Sequence, residues 1–431
     1  MLSNHPFATS ESLLERALRT IPLGTQTFSK SRTQFPVGAA PLYGDKARGS
    51  KLQDVDGNDY LDFINGLLAI SLGYSDPDVD AAVRAQLDDG VLFSLPHRVE
   101  IEVAERICDM VPCAEMVRFG KNGSDATAGA IRLARAFTGR DHVAVCGYHG
   151  WQDWYIGSTS RNLGVPKAIQ ALTHGFAYND LDSLEMLFRE YAGELAAVIL
   201  EPMNVAYPAP GFLEGIRELT ERHGALLIFD ETITGFRFAN GGAQELFGVT
   251  PDLATFGKGL ANGYPLAALA GRADIMRMLE DVFFSFTMGG ETLSLAAAKA
   301  VLDKLPRENV VDHLRVQGEK VLTGVAARIA RHDVGDFLSV SGHPAWSFLN
   351  IRAAGEYTVW QVRTLFLQEM FARGVLTLGS HNMSFAHSDD DIAQLLDTYN
   401  AVFPILRDAI AGGTLESQLR CDTLQPLFKV R

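Results

Sequence analysis

The sequence predicts an α/β protein with a large, mainly parallel sheet and a smaller α+β region. Three observations carry that reading. Short runs that are apolar throughout recur at Met116–Phe119, Val143–Cys146, Ala197–Leu200 and Ala225–Phe229. Helix-patterned stretches separate them, the arrangement of parallel strands covered on both faces. The last run ends in a carboxylate, Asp230, and a lysine between glycines follows in Phe256-Gly257-Lys258-Gly259. Strand ends are where open α/β sheets place their ligands. Closing the same βα units into a barrel would leave the Asp230–Lys258 pair unexplained.

The elements follow in order. Leu13, Leu14, Ala17 and Leu18 give residues 10–19 the spacing of a short amphipathic helix. Residues 21–41, rich in Gly, Ser, Thr and Pro, predict irregular chain. Lys51–Phe63 reads as a hairpin, because Asp56-Gly57-Asn58 sits between two alternating runs. Helices and apolar strands alternate from Asp76. From Ala300 the pattern becomes a long helix, strands around Trp346–Ile351 and Gly374–Leu378, and a helix from Asp389. The expected organisation is 1–75 as an N-terminal segment, 76–300 as the large domain and 301–431 as a C-terminal α+β domain.

A chain of 431 residues, 47% hydrophobic, buries a sizeable core. A net charge of −14 excludes the basic footprint of a nucleic-acid binder. Cys108, Cys113, Cys146 and Cys421 form no CxxC pair and read as reduced thiols in a cytoplasmic protein. Met1–Pro6 carries no basic region ahead of an apolar segment, and no apolar run reaches membrane length. The expected partners are therefore small molecules, with neither nucleic acid nor membrane.

An acid closing a buried strand and a lysine in a glycine-flanked turn are what pyridoxal phosphate (PLP) requires. The lysine forms a Schiff base, and the acid keeps the ring nitrogen protonated so that the ring can act as an electron sink. Asn122-Gly123-Ser124, opening a helix after the Met116 strand, supplies a candidate phosphate cradle, since helix N-termini bind anions. The same residues also suit an ordinary capped turn. Tyr148, between glycines after a strand, can lie flat on a ring. His149 is either a substrate contact or a structural loop histidine. Glu201 and Asn204, in Glu201-Pro202-Met203-Asn204, follow another strand end; a structural hydrogen bond is the competing role for Glu201. Glu231 is a candidate scaffold partner of Arg237. Thr287 precedes Gly289-Gly290 and a helix of small residues. No GxGxxG or GxxxxGK[ST] nucleotide motif is present.

Together, Asn122-Gly-Ser-Asp-Ala126, Ile131–Asp141, Phe229–Arg237 and Phe256-Gly-Lys258 resemble the class-III aminotransferases of PLP fold type I. The resemblance runs from about Leu14 to Arg431, and its aminomutase branch, named for glutamate-1-semialdehyde, is the most similar known to us. It implies a small domain built from the N- and C-terminal segments. It implies Lys258 as the Schiff-base lysine, Asp230 at the pyridine nitrogen, Gly123 and Ser124 at the phosphate and Tyr148 on the ring. Asn122 stands where the family usually has Ser. Thr287 matches a threonine that reaches the phosphate of a neighbouring subunit, so a homodimer with interfacial sites is also implied.

Two departures set this chain apart from the aminomutases. Lys30 stands where their N-terminal segment has an Arg, and Gly379 where they have a Glu; exchanging a bidentate Arg is not conservative. Gln26, Thr27, Ser29, Lys30, Ser31, His381 and Asn382 instead offer hydroxyl, amide and imidazole groups suited to a polyhydroxylated substrate. The expected activity is transfer of an amino group from a donor to a carbonyl acceptor, with a keto-sugar or other polyhydroxylated compound as the candidate acceptor. An intramolecular aminomutase is the alternative, and a non-catalytic binding protein of the same fold a remote one. Residues 150–170 are the candidate gating loop.

Overall fold

The computed structural model describes residues 6–425. The leaderless reading of Met1–Pro6, save Pro6, and the end of the resembling stretch at residues 426–431 lie outside them. The chain divides into two compact units, one running to Asp76 and resuming at Asp312, the other Pro77–Val311.

In the first unit, β1 (Gly44–Arg48), β2 (Lys51–Asp54) and β3 (Asp59–Asp62) form an antiparallel meander. The expected hairpin is β2–β3. Asp54 closes its turn: Oδ1 accepts from Asp56 N (3.0 Å) and Asn58 N (2.8 Å), while Gly57 adopts φ +87°. Such a φ favours glycine. The predicted N-terminal helix spans Ala8–Ala17.

The second unit carries seven strands: β4 (Met116–Gly120), β5 (His142–Cys146), β6 (Thr173–Gly175), β7 (Leu195–Leu200), β8 (Leu226–Asp230), β9 (Leu253–Phe256) and β10 (Ala267–Gly271). Their order is β4-β10-β9-β8-β7-β5-β6. From β9 to β6 every pairing is parallel; β10 runs antiparallel to both β4 and β9. Both faces are covered. Val143, Val145, Ala197, Ile199, Leu226 and Ile228 pack with Ala130, Ile131 and Ala134 of the helix Gly123–Thr138. Ala144, Cys146, Val198, Leu200, Leu227 and Phe229 pack on Phe212, Ile216 and Leu219 of the helix Phe212–His223. Alternate residues serve opposite layers, and for that reason the strands are apolar throughout.

Between β8 and β9, the buried Asp252 carboxylate accepts from Leu227 N (2.8 Å), Arg217 Nη1 (2.9 Å) and Arg272 Nη1 (2.8 Å). Asp252→Ala strands the Leu227 N–H and takes one of two carboxylate partners from Arg217 and from Arg272, which keep Glu221 and Asp274. It should lower the unfolding free energy by about 1–3 kcal/mol, read by urea denaturation.

The chain then returns to the first unit with β11 (Leu338–His343), β12 (Trp346–Ile351), β13 (Val375–Leu376) and β14 (Ser380–Asn382). β11, β12 and β14 make a separate antiparallel sheet, and β13 joins β3 in parallel. Among the described residues, no helix is long and apolar enough to cross a membrane.

Candidate active site

The sheet order brings four strand ends side by side. Cys146 of β5 is in register with Leu200 of β7, Leu200 with Phe229 of β8, and Asp230 with Thr255 of β9. The residues just past those positions include Tyr148, Glu201 and Lys258, so the sequence-predicted acids, aromatic and lysine share one rim.

Asp230 is buried, 5% exposed. Its Oδ1 accepts three hydrogen bonds, from Thr232 N (3.1 Å), Thr232 Oγ1 (2.6 Å) and Thr255 Oγ1 (3.2 Å). Its Oδ2 lies 2.9 Å from His149 Nδ1. Burial alone would raise the carboxyl's pKa, but the bonds from His149 and Thr232 outweigh it and hold the group below the usual carboxylate range. Oδ1 is saturated, so Oδ2 is the oxygen with acceptor capacity to spare. His149 is itself buried against Trp154 and Tyr155, and its Nε2 has no hydrogen-bond partner among the described residues.

Lys258 opens the turn Lys258–Ala261 after β9, half-buried, with φ +45°. A left-handed φ at a non-glycine residue is local strain of a kind that clusters at functional sites. Thr232 ties the surroundings together. A Cβ at Gly123 would stand 2.9 Å from its methyl, and one at Gly257 3.2 Å from it. The helix N-terminus, the approach to Lys258 and Asp230 thus converge on Thr232, which sequence reasoning passed over, along with Thr255.

Asn122 is the N-cap of Gly123–Thr138. The Asp125 carboxylate accepts from Lys121 N (3.0 Å) and Asn122 N (2.8 Å), which fixes the turn. The first N–H groups of a helix have no acceptor within it and suit an anion. Ser124 Oγ accepts from Trp151 N at 3.3 Å, and Gly150 crosses above it at φ +102°. A Cβ on Gly150 would fall 2.2 Å from Ser124 Oγ. Gly150→Ala should therefore displace Ser124 and weaken phosphate-dependent cofactor binding by about tenfold or more, measured by equilibrium dialysis.

Tyr148 is 42% exposed and meets Tyr155 edge-on at 5.7 Å. Burial of its hydroxyl, then Asp230 and Glu201, raise its pKa. Its backbone N–H donates to Glu201 Oε2 (3.0 Å), which also accepts from Asn204 Nδ2 (2.9 Å). Asn204 Oδ1 is buried without a partner among the described residues. Glu231 bonds elsewhere than expected: Thr234 Oγ1 (2.8 Å), Gln244 N (3.0 Å), Gln244 Nε2 (3.0 Å) and Ala243 N donate to it. Thr287 stands in an exposed turn beside Phe286 and Met288.

Three of the groups read as facing a polyhydroxylated substrate turn inward. His381 is fully buried between Ser347 Oγ (2.9 Å) and Tyr399 OH (2.7 Å). Asn382 Nδ2 donates to Ile64 O (2.8 Å) and Ser31 Oγ to Phe28 O (2.8 Å). These residues pair inside the first unit's core. Burial lowers the pKa of His381 to about 3 and of His387 to about 4. Both are bases held neutral in the fold, so protonation favours the unfolded chain. Their stability contribution is present above about pH 6.5 and lost below it, at about 1.4 kcal/mol per pH unit for each. Thermal unfolding between pH 7 and 5 should show this slope, and His381→Gln should remove its own share while leaving that of His387.

An ionised acid with one spare oxygen, a half-exposed aromatic, a glycine-lined helix start and a strained lysine fit the ring nitrogen, ring, phosphate and aldehyde of PLP. The family model for class-III aminotransferases matches residues 35–398. A 3-aminobutyryl-CoA aminotransferase of Cloacimonas acidaminovorans (strain Evry) is 35% identical, with 90% of this chain and 95% of that protein covered. A glutamate-1-semialdehyde 2,1-aminomutase of Syntrophobacter fumaroxidans is 36% identical over 93% of this chain and 99% of its own length. Among solved structures, the FumI protein of Sphingopyxis sp. MTA144 in its PLP internal aldimine form superposes with a TM-score of 0.86 at 29% identity, covering 93% and 97%. A glutamate-1-semialdehyde aminomutase of Pseudomonas aeruginosa PAO1 with PMP gives 0.80 at 25%, covering 92% and 94%. The chain belongs to the class-III aminotransferase family.

Proposed function

We propose that this protein is a PLP-dependent aminotransferase that moves an amino group from an external donor to a carbonyl acceptor. The observation that carries the reading is the Asp230–His149 pair beside the Lys258 turn. Gly123 and Ser124, at the helix start, would hold the phosphate, Tyr148 would stack on the ring, and Asp230 would keep the ring nitrogen protonated. Thr232 and Thr255 occupy Oδ1 and fix the carboxylate plane. Glu201 and Asn204 brace the Tyr148 backbone. When bound, the cofactor supplies an electron sink for the carbon that loses or gains the amino group. Lys258 anchors it through Nζ and moves the proton at that carbon.

The departures at Lys30 and Gly379 favour external transfer over isomerisation. Gly379 adopts φ +87°, a conformation strained for a Glu. A polyhydroxylated acceptor now rests on Gln26, Thr27, Ser29 and Lys30, which are exposed or partly exposed. Purified enzyme offered keto-sugars with a panel of donors should form amino-sugar; isomerisation of glutamate-1-semialdehyde without any donor would establish the aminomutase instead.

A homodimer completed at Thr287 belongs to the same reading. Ile101, Met116, Phe283, Phe286 and Met288 expose an apolar surface in the same region. Sedimentation should give twice the chain's 47.0 kDa, and Phe283→Glu should shift the population toward monomer.

A further inference from the structure

The turn that opens the helix Gly123–Thr138 is tied to a second helix by an ion pair. Lys121 Nζ donates to Glu291 Oε2 at 2.9 Å, and both side chains are only 15% exposed. Exposed pairs contribute little because water and salt screen them, whereas a mostly covered pair with further hydrogen bonds holds its geometry. Glu291 is fixed as the N-cap of the helix Thr292–Arg307. Its Oε1 accepts from Leu293 N (2.7 Å), and its Oε2 from Ser294 N (3.3 Å) and Ser294 Oγ (2.6 Å). Burial pushes its carboxyl up, but the bonds from Ser294 and Lys121 outweigh that and hold it below the usual range.

Lys121 is fixed at its other end too. Its backbone N–H and that of Asn122 donate to Asp125 Oδ2, closing the turn ahead of Gly123. The lysine therefore spans from the backbone of the turn to the cap of the second helix. The chain leading to Glu291 lies along the same helix. Arg118 Nε donates to Phe284 O (3.3 Å) and Arg132 Nη1 to Phe283 O (2.7 Å). A Cβ on Gly129 would fall 3.1 Å from the Phe284 ring. Of these contacts, Lys121–Glu291 is the nearest in sequence to Gly123 and joins two opposite charges.

We propose that Lys121 and Glu291 are positioning residues for the cofactor phosphate. The pair pins the turn, so that the N–H groups at Gly123 and Ser124 are set before the anion arrives. This role rests on the assignment of Gly123 and Ser124 to the phosphate. A preset cradle binds more tightly, because binding then carries no cost of ordering the turn. Lys121 acts through the backbone, its charge being taken up by Glu291.

The test compares PLP with pyridoxal, which lacks the phosphate, by equilibrium dialysis against the full chain freed of cofactor. Wild type, Lys121→Met, Glu291→Gln and the double variant are measured. Wild type should bind PLP far more tightly than pyridoxal. Each single variant should lower PLP affinity by about tenfold and leave pyridoxal affinity unchanged. The double variant should be no worse than either single one, since all three lose the same interaction. Lys121→Arg should keep most of the wild-type affinity. If Lys121→Met does not fold, Glu291→Gln carries the same comparison. Equal losses for PLP and pyridoxal would mark general damage to the fold, and unchanged PLP affinity an idle pair; either overturns the proposal. Tighter PLP binding in Glu291→Gln also overturns it, by showing that the released Lys121 reaches the phosphate itself. A wild type without preference for PLP removes the phosphate assignment, and the proposal with it, so the two failures are distinguishable.

Discussion

Lys258→Ala should lose turnover by about 10³-fold or more, because it removes the group that moves the proton at the reacting carbon. The fold should survive the change. Lys258 is half-buried and opens a turn rather than filling the core, and alanine there keeps the strained φ of +45° without a long side chain. The variant should still bind PLP noncovalently through the helix start at Gly123 and the Asp230 carboxylate. Added small primary amines should restore part of the rate, since they return a base to the same place. Stopped-flow measurement of the first half-reaction separates this from simple loss of cofactor. A variant with wild-type turnover would remove Lys258 from the chemistry.

Asp230→Asn should cost about 10²- to 10⁴-fold in kcat. An amide in that position carries no charge to hold the ring nitrogen protonated, although it retains a carbonyl acceptor. Asp230→Ala adds a stability penalty of about 1–3 kcal/mol, because the His149 N–H and the Thr232 donors lose their acceptor. The pH dependence has a definite sign. The carboxyl is held below its ordinary range, so the stability it contributes is present above the unfolded carboxylate pKa and is lost as pH falls through the lower, folded value. An acid-unfolding series should therefore show this contribution in wild type and lack it in Asp230→Asn.

The strands that carry the site were legible because both their faces are buried. Ala197–Leu200 and Leu226–Phe229 read as unbroken apolar runs, and the polar residue that ends each run marks the ligand side of the sheet. β10 was not legible: Ala267-Ala-Leu-Ala-Gly271 has weak strand preference, and its antiparallel place between β4 and β9 is set by tertiary pairing. Thr232 was passed over because its role comes from two segments remote in sequence, at Gly123 and Gly257, that meet around it beside Asp230. His381 misled for the same reason. An imidazole near other polar residues looks like a ligand group, but its partners Ser347 and Tyr399 come from other elements and complete it inside the core. Sequence located the groups that end strands, whereas the pairing of buried polar side chains depends on the fold.

The most direct test of the central claim is the absorbance of the purified protein reconstituted with PLP, before and after an amino donor such as glutamate is added without acceptor. The account predicts a visible cofactor band that gives way to a near-ultraviolet one in wild type, with no such conversion in Lys258→Ala. Failure of the protein to hold PLP, or the same conversion in Lys258→Ala, would contradict it.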